Sequence, residues 1–135
     1  MITMNDVIEH LKDPNEHIAF GKSRLSKNGL LFITTPNSNS WIGKIMGKGW
    51  GVYDGNEHMV IFSEHSMNRL LERHGLRVLT IKTHFKSLTI AYFIRMALQW
   101  QFKMITSSTY LPYWIGSLPL RITVGEMLVV AKLNN

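Results

Sequence analysis

The 135-residue sequence contains no cysteine. That excludes a disulfide framework and thiolate metal sites, and it suits a cytoplasmic protein. Acidic residues are scarce and unevenly placed. Four of the nine (Asp6, Glu9, Asp13 and Glu16) fall in the first sixteen positions, and none lies between Glu72 and Glu126. That interval carries seven bases, Arg73, Arg77, Lys82, Lys86, Arg95, Lys103 and Arg121, dispersed among apolar residues. The net charge of +6 therefore does not gather into the dense patch that a nucleic-acid surface needs, and no nucleic-acid partner is expected. Met1-Ile2-Thr3-Met4-Asn5-Asp6 has neither a basic n-region nor a long apolar h-region, so no secretion signal is predicted.

What is present reads as one α/β domain over residues 1–135. Met1 to Asn5 suits the end of a strand. A helix is predicted from Pro14, capped by Asp13 and stopped at Asn28-Gly29. Leu30-Leu31-Phe32-Ile33-Thr34-Thr35, closed by Pro36, is a nearly continuous apolar run of the kind found in a strand buried on both faces. Residues 37–62 form a long loop with five glycines, two tryptophans and a tyrosine, and a loop of that length is more often functional than filler. Ser63 caps a helix to about His74 through its hydroxyl alone, since no Glu stands at the third helical position. Leu76–Phe85 and Gly125–Leu133 are the remaining strands. Between them lies an apolar insertion at about 87–121. Its Ser87–Lys103 stretch would span roughly 25 Å as a helix, short for a bilayer and with Arg95 near its centre. A helix covering the domain is expected there, and a peripheral membrane contact is the alternative.

Four stretches, in order, carry a resemblance. Met4-Asn5-Asp6-Val7-Ile8-Glu9-His10-Leu11-Lys12-Asp13-Pro14 contains a Glu-His-x-x-Asp-Pro run. Arg24-Leu25-Ser26-Lys27-Asn28-Gly29 leads into the strand ending Thr35-Pro36-Asn37. His58, Phe62-Ser63 and Leu70-Leu71-Glu72-Arg73-His74-Gly75-Leu76 form the third, and Gly125-Glu126-Met127 through Lys132 the fourth. Together they resemble the second half of a class I S-adenosylmethionine-dependent methyltransferase, particularly the ubiquinone-biosynthesis O-methyltransferase type. Asn28 stands where that family usually has a glycine.

The resemblance implies a partial Rossmann-like methyltransferase sheet, strands four to seven with flanking helices, whose N-terminal half is missing. No GxGxG turn occurs in the chain. S-adenosylmethionine is the implied cofactor, with Met4, Asn5 and Asp6 on its rim and a small-molecule acceptor, its hydroxyl methylated, as partner. By the same likeness Asp6, Glu9 and His10 fall where related enzymes hold a divalent cation. The residues themselves leave three readings open. Asp6 and Glu9 can cap the backbone while His10 fills space, His10 and Glu9 can act as catalytic residues on an acceptor hydroxyl, or oxygen ligands can hold Mg²⁺; no metal is assigned. Trp50, Tyr53 and His58 are the expected acceptor-binding residues. A second class of function remains beside the enzyme: a non-catalytic remnant that pairs with another chain, or with itself as an oligomer, through an exposed sheet edge.

Overall fold

The computed structural model describes residues 1–53, 57–95 and 112–134. β1 (Ile2–Asn5) runs parallel to β2 (Leu30–Pro36), with Ile2 opposite Leu31 and Asn5 opposite Thr34. The connection between them is α1 (Pro14–Arg24). Asp13 caps it by accepting the Asn15 N–H at 2.8 Å, and Pro14 occupies the first turn, where its missing donor is not needed. This helix ends four residues before the expected Asn28-Gly29 stop. Leu25 turns extended and packs its side chain against the core, which ends the helical run earlier than the glycine would.

β4 (Pro119–Leu133) inserts antiparallel between β2 and β3 (Leu76–Thr89), giving the order β1-β2-β4-β3 among the described residues. The expected α/β architecture is present, and two strand boundaries move. β3 continues to Thr89 rather than Phe85, and β4 begins at Pro119 rather than Gly125. Lys86–Thr89 pair with Pro119–Ile122, so cross-strand pairing takes up the first residues of the stretch expected as an apolar helix. Helical backbone begins only at residue 90, and 96–111, the rest of the expected apolar helix and most of the insertion, lies outside the described residues. Gly125 sits inside β4 with φ +94°, a conformation that costs a side-chain-bearing residue.

One face of the sheet is dry. Leu31 and Ile33 of β2, with Met127, Val129 and Ala131 of β4, meet Ile18 of α1 and Met67 and Leu71 of α3 (Glu64–Arg73), all essentially inaccessible. Burying each large aliphatic side chain there contributes about 1.5–3 kcal/mol. α3 begins with a reciprocal cap. Ser63 accepts the Ser66 N–H at 3.1 Å, and the Ser66 hydroxyl accepts the Ser63 N–H at 2.9 Å. The serine at the third helical position thus takes the role usually given to Glu, so the expectation of a lone hydroxyl cap is corrected.

The segment expected as a loop holds α2 (Trp41–Met46), capped by Ser40, and two 3₁₀ turns at Gly47–Gly49 and Gly51–Tyr53. Trp50 folds down between Gly43 and Gly125, where a methyl group on either glycine would lie within 2.9 Å of the indole. Its Nε1–H donates to the Val124 carbonyl at 3.2 Å. The loop is therefore pinned to β4 by an aromatic anchor.

Candidate functional site

The parallel strands β1 and β2 end together, and the chain leaving β1 builds one wall of a cavity of about 360 Å³. Asp6 makes the turn with φ +51°, an uncommon conformation outside glycine. It is held there on both sides. Its N–H donates to the Thr34 carbonyl at 3.0 Å, and its carboxylate accepts from the Thr34 hydroxyl at 3.4 Å and the Lys86 ammonium at 2.8 Å. The 3₁₀ turn Ile8–His10 follows, fixed by the buried Ile8, and delivers Glu9 and His10 to the cavity.

Glu9 is 1% exposed. Its Oε2 accepts the Thr35 hydroxyl at 3.0 Å, and its backbone carbonyl accepts the Met59 and Val60 N–H groups at 2.8 and 3.1 Å. Its Oε1 lies 3.9 Å from His10 Nε2. His10 Nδ1 lies 2.7 Å from the Glu57 carbonyl oxygen. A carbonyl only accepts, so Nδ1 carries the proton and Nε2 holds the lone pair of the neutral ring. The His58 ring stacks on His10, centroids 4.8 Å apart.

The opposite wall comes from the antiparallel strands. Lys86 of β3 reaches Asp6 and also Glu126 of β4, with Nζ 2.6 Å from Glu126 Oε1. Its register break from His84 accompanies this reach. Burial works to lower the Lys86 pKa, but the hydrogen bonds to Asp6 and Glu126 outweigh it and hold the ammonium above its ordinary 10.5. For Glu126 the balance goes the other way: desolvation pushes the carboxyl above its ordinary 4.5 despite Lys86. Both shifts belong to one contact. They agree once the second oxygen is considered: Glu126 is 8% exposed, and its Oε2 is buried with no hydrogen-bond partner among the described residues.

The expected site residues divide accordingly. Glu9, His10 and His58 come together in the cavity, and Asp6 lines it as well, paired with Lys86. Asn5 is exposed at the end of β1, on the strand face opposite Met4. Met4 turns inward, its terminal methyl against Gly21 of α1, and so packs the core. Trp50 is 1% exposed and anchors the loop, while Tyr53 packs edge-on against it; neither lines the cavity. An indole that size gains more from filling the space beside Gly125 than from facing water. Lys86 and Glu126 escaped sequence reasoning because their strands are far apart in the chain and only the sheet order joins them. The lone acid ending a long acid-free stretch was the available signal.

Glu9, His10 and His58 place ligand-type atoms within 4.8 Å of one another. Donors shared by one small cation sit roughly 3.3 Å apart. The trio as it stands is a hydrogen-bonding and stacking cluster.

Comparison with known proteins gives a consistent picture. The profile of a methyltransferase domain family matches residues 1–81. No curated protein sequence gives a match. Among solved structures, the chain is similar to a SAM-dependent methyltransferase from Thermotoga maritima, described as a possible histamine N-methyltransferase. The two are 14% identical with a TM-score of 0.54, over 96% of this chain and 53% of that one. It is also similar to a candidate methyltransferase from Bacillus halodurans C-125, at 13% identity and a TM-score of 0.60, over 99% of this chain and 64% of the other. At these identities the likeness is one of fold. The chain spans between half and two thirds of the length of both proteins.

Proposed function

The chain belongs to the methyltransferase domain family, and from that premise we propose that it forms the acceptor side of an S-adenosylmethionine-dependent enzyme that methylates a hydroxyl on a small molecule. The observation that carries this reading is the fixed tautomer of His10. Its Nδ1–H is spent on the Glu57 carbonyl, so the basic Nε2 is available beside the Glu9 carboxylate on the cavity wall. The ordered resemblance to ubiquinone-type O-methyltransferases supports oxygen as the methylated atom.

The residues present fit the cofactor as a rim. The carboxyl ends of two parallel strands are where such folds seat their ligands, and Asn5 is exposed there with Asp6 beside it. Asn5 and Asp6 are the residues that would hold the cofactor; Met4, turned into the core, supports them from behind. When bound, S-adenosylmethionine supplies a methyl group on a cationic sulfur, an electrophile that needs no further activation. The chain's own contribution is alignment and one proton. His10 Nε2 would take the proton that the acceptor hydroxyl gives up as its oxygen is methylated. Glu9, fixed by Thr35, stabilises the imidazolium that forms. His58 supports the ring by stacking.

The test is His10→Ala in the intact enzyme, assayed with candidate hydroxyl acceptors while cofactor affinity is followed by calorimetry. Turnover is expected to fall about 10²–10⁴-fold with cofactor binding kept. Near-normal turnover would overturn the assignment. Calorimetry on the 135-residue chain also addresses the rival reading of a non-catalytic pairing subunit: weak or absent cofactor binding by this chain together with full activity of the intact enzyme favours the transferase.

A further inference from the structure

The charge in the cavity opposes the charge of the molecule. Of the chain's nine acidic residues, four line this cavity: Asp6, Glu9, Glu57 and Glu126. Of its fifteen lysines and arginines, only Lys86 does so among the described residues. With the histidines neutral, the lining carries a formal charge of −3 (four negative, one positive) within a protein of net charge +6. A concave, low-dielectric wall of one sign concentrates ligands of the other.

An acidic wall alone is common on protein surfaces. What distinguishes this one is the unpartnered Oε2 of Glu126, a carboxylate oxygen shut away from solvent on a side chain 8% exposed. A buried polar atom without a partner costs about 1–3 kcal/mol, more when charged, and persists where a ligand or water completes it. Lys86 does not complete it. Its ammonium is taken up at 2.6 Å by Oε1 and at 2.8 Å by Asp6. Leu88 and Val124 beside these groups give the cavity an apolar wall as well.

We propose that the cavity takes a cationic acceptor, a small molecule that carries a protonated amine on an apolar body, and that the Glu126 carboxylate turns its unpartnered Oε2 into the cavity to accept from the ammonium. The ammonium supplies both what the oxygen lacks, a donor, and what the lining lacks, positive charge. The amine then sets the acceptor's orientation while its hydroxyl faces His10. The inference names the acceptor class of the proposed transferase and depends on that reading for its catalytic meaning. The binding itself is measured without methyl transfer, so either can fail alone.

The experiment uses three probes of one shape, benzylamine, benzyl alcohol and benzoate, titrated at millimolar concentration at neutral pH into the isotope-labelled full chain. Chemical-shift changes should centre on Lys86, Leu88 and Glu126. Benzylammonium is expected to bind about fivefold or more tighter than benzyl alcohol, with benzoate weakest. Glu126→Gln should remove most of the advantage of the amine while leaving benzyl alcohol unchanged. If that variant does not give a native spectrum, Asp6→Asn, at an exposed position, is read in its place and should weaken benzylamine about twofold. Equal binding of amine and alcohol, an amine affinity indifferent to the substitution, or no binding of any probe overturns the proposal. The last result would mean that water alone completes Glu126.

Discussion

β2 and β4 are the same two strands on both sides of the molecule, yet they do opposite things. Toward α1 and α3 they present Leu31, Ile33, Val129 and Ala131, a surface complete in itself. At the cavity end they present Pro36, Val124 and Glu126, where charges are paired across the chain and one oxygen has no partner. Core packing is local in its demands: any side chain of the right size satisfies it. The cavity depends on single atoms from four segments meeting, so it is cheaper to alter chemically and harder to read from sequence.

The contrast predicts that substitutions on the two sides separate stability from binding. The largest effect belongs to the dry face. Leu71→Ala removes a side chain with no accessible surface between α3 and the sheet. It should cost about 2–5 kcal/mol in urea denaturation and leave benzylamine affinity of the folded fraction unchanged. A loss of binding without a loss of stability would break the division between the two regions.

Gly125→Ala strikes where they join. The added methyl would lie 2.7 Å from the Trp50 ring and 2.8 Å from the Ser40 hydroxyl, at φ +94°. Strain and overpacking both oppose it, together at about 2–4 kcal/mol. Because Trp50 holds the loop that carries Gly51 and Val52 to the cavity, this change should lower stability and perturb binding together. Tryptophan fluorescence, which is sensitive to the indole's surroundings, should shift as well.

The expected difference in legibility follows the same division. The strand at Leu30–Pro36 and the cap at Asp13 were readable because apolar runs and capping residues act over a few neighbours. Glu9 and His10 were readable as neighbours in one turn. The Ser63–Ser66 reciprocal cap was missed because a serine does there what a glutamate usually does. The extension of β3 to Thr89 was hidden because Ser87 opens an apolar stretch long enough for a helix, a local signal overruled by pairing with residues thirty or more positions later. The burial of Trp50 depends on Gly43 and Gly125, which lie on either side of it in sequence and meet only in the fold.

Lys86→Met sets the next scale. It leaves Glu126 buried without its cation, and breaking a buried pair from one side is costly, about 3–5 kcal/mol when both partners are sealed. Lys86 is 31% exposed, so solvent reduces this to about 1–2 kcal/mol. The double variant Lys86→Met/Glu126→Met should recover most of the loss, since neither charge then remains unpaired. Additive losses in the cycle would mean that the two side chains act independently, against their 2.6 Å contact.

The smallest effect is a pH dependence confined to this pair. Lys86 binds its proton more tightly in the folded chain than at its ordinary 10.5. Its stabilisation is therefore fully present below that pH and is lost as pH rises through the folded value. Glu126 also holds its proton more tightly than at 4.5, so its contribution is greatest below that pH and declines as the carboxyl ionises. Stability should fall with rising pH in two separate windows, one just above 4.5 and one above 10.5. Other groups titrate in both ranges, so the reading is the difference between the native chain and Lys86→Met/Glu126→Met in urea midpoint against pH. That difference should change in both windows and stay flat near neutrality; a difference flat throughout would mean that the ion pair contributes nothing to folding and that the cavity end is held by its backbone contacts alone.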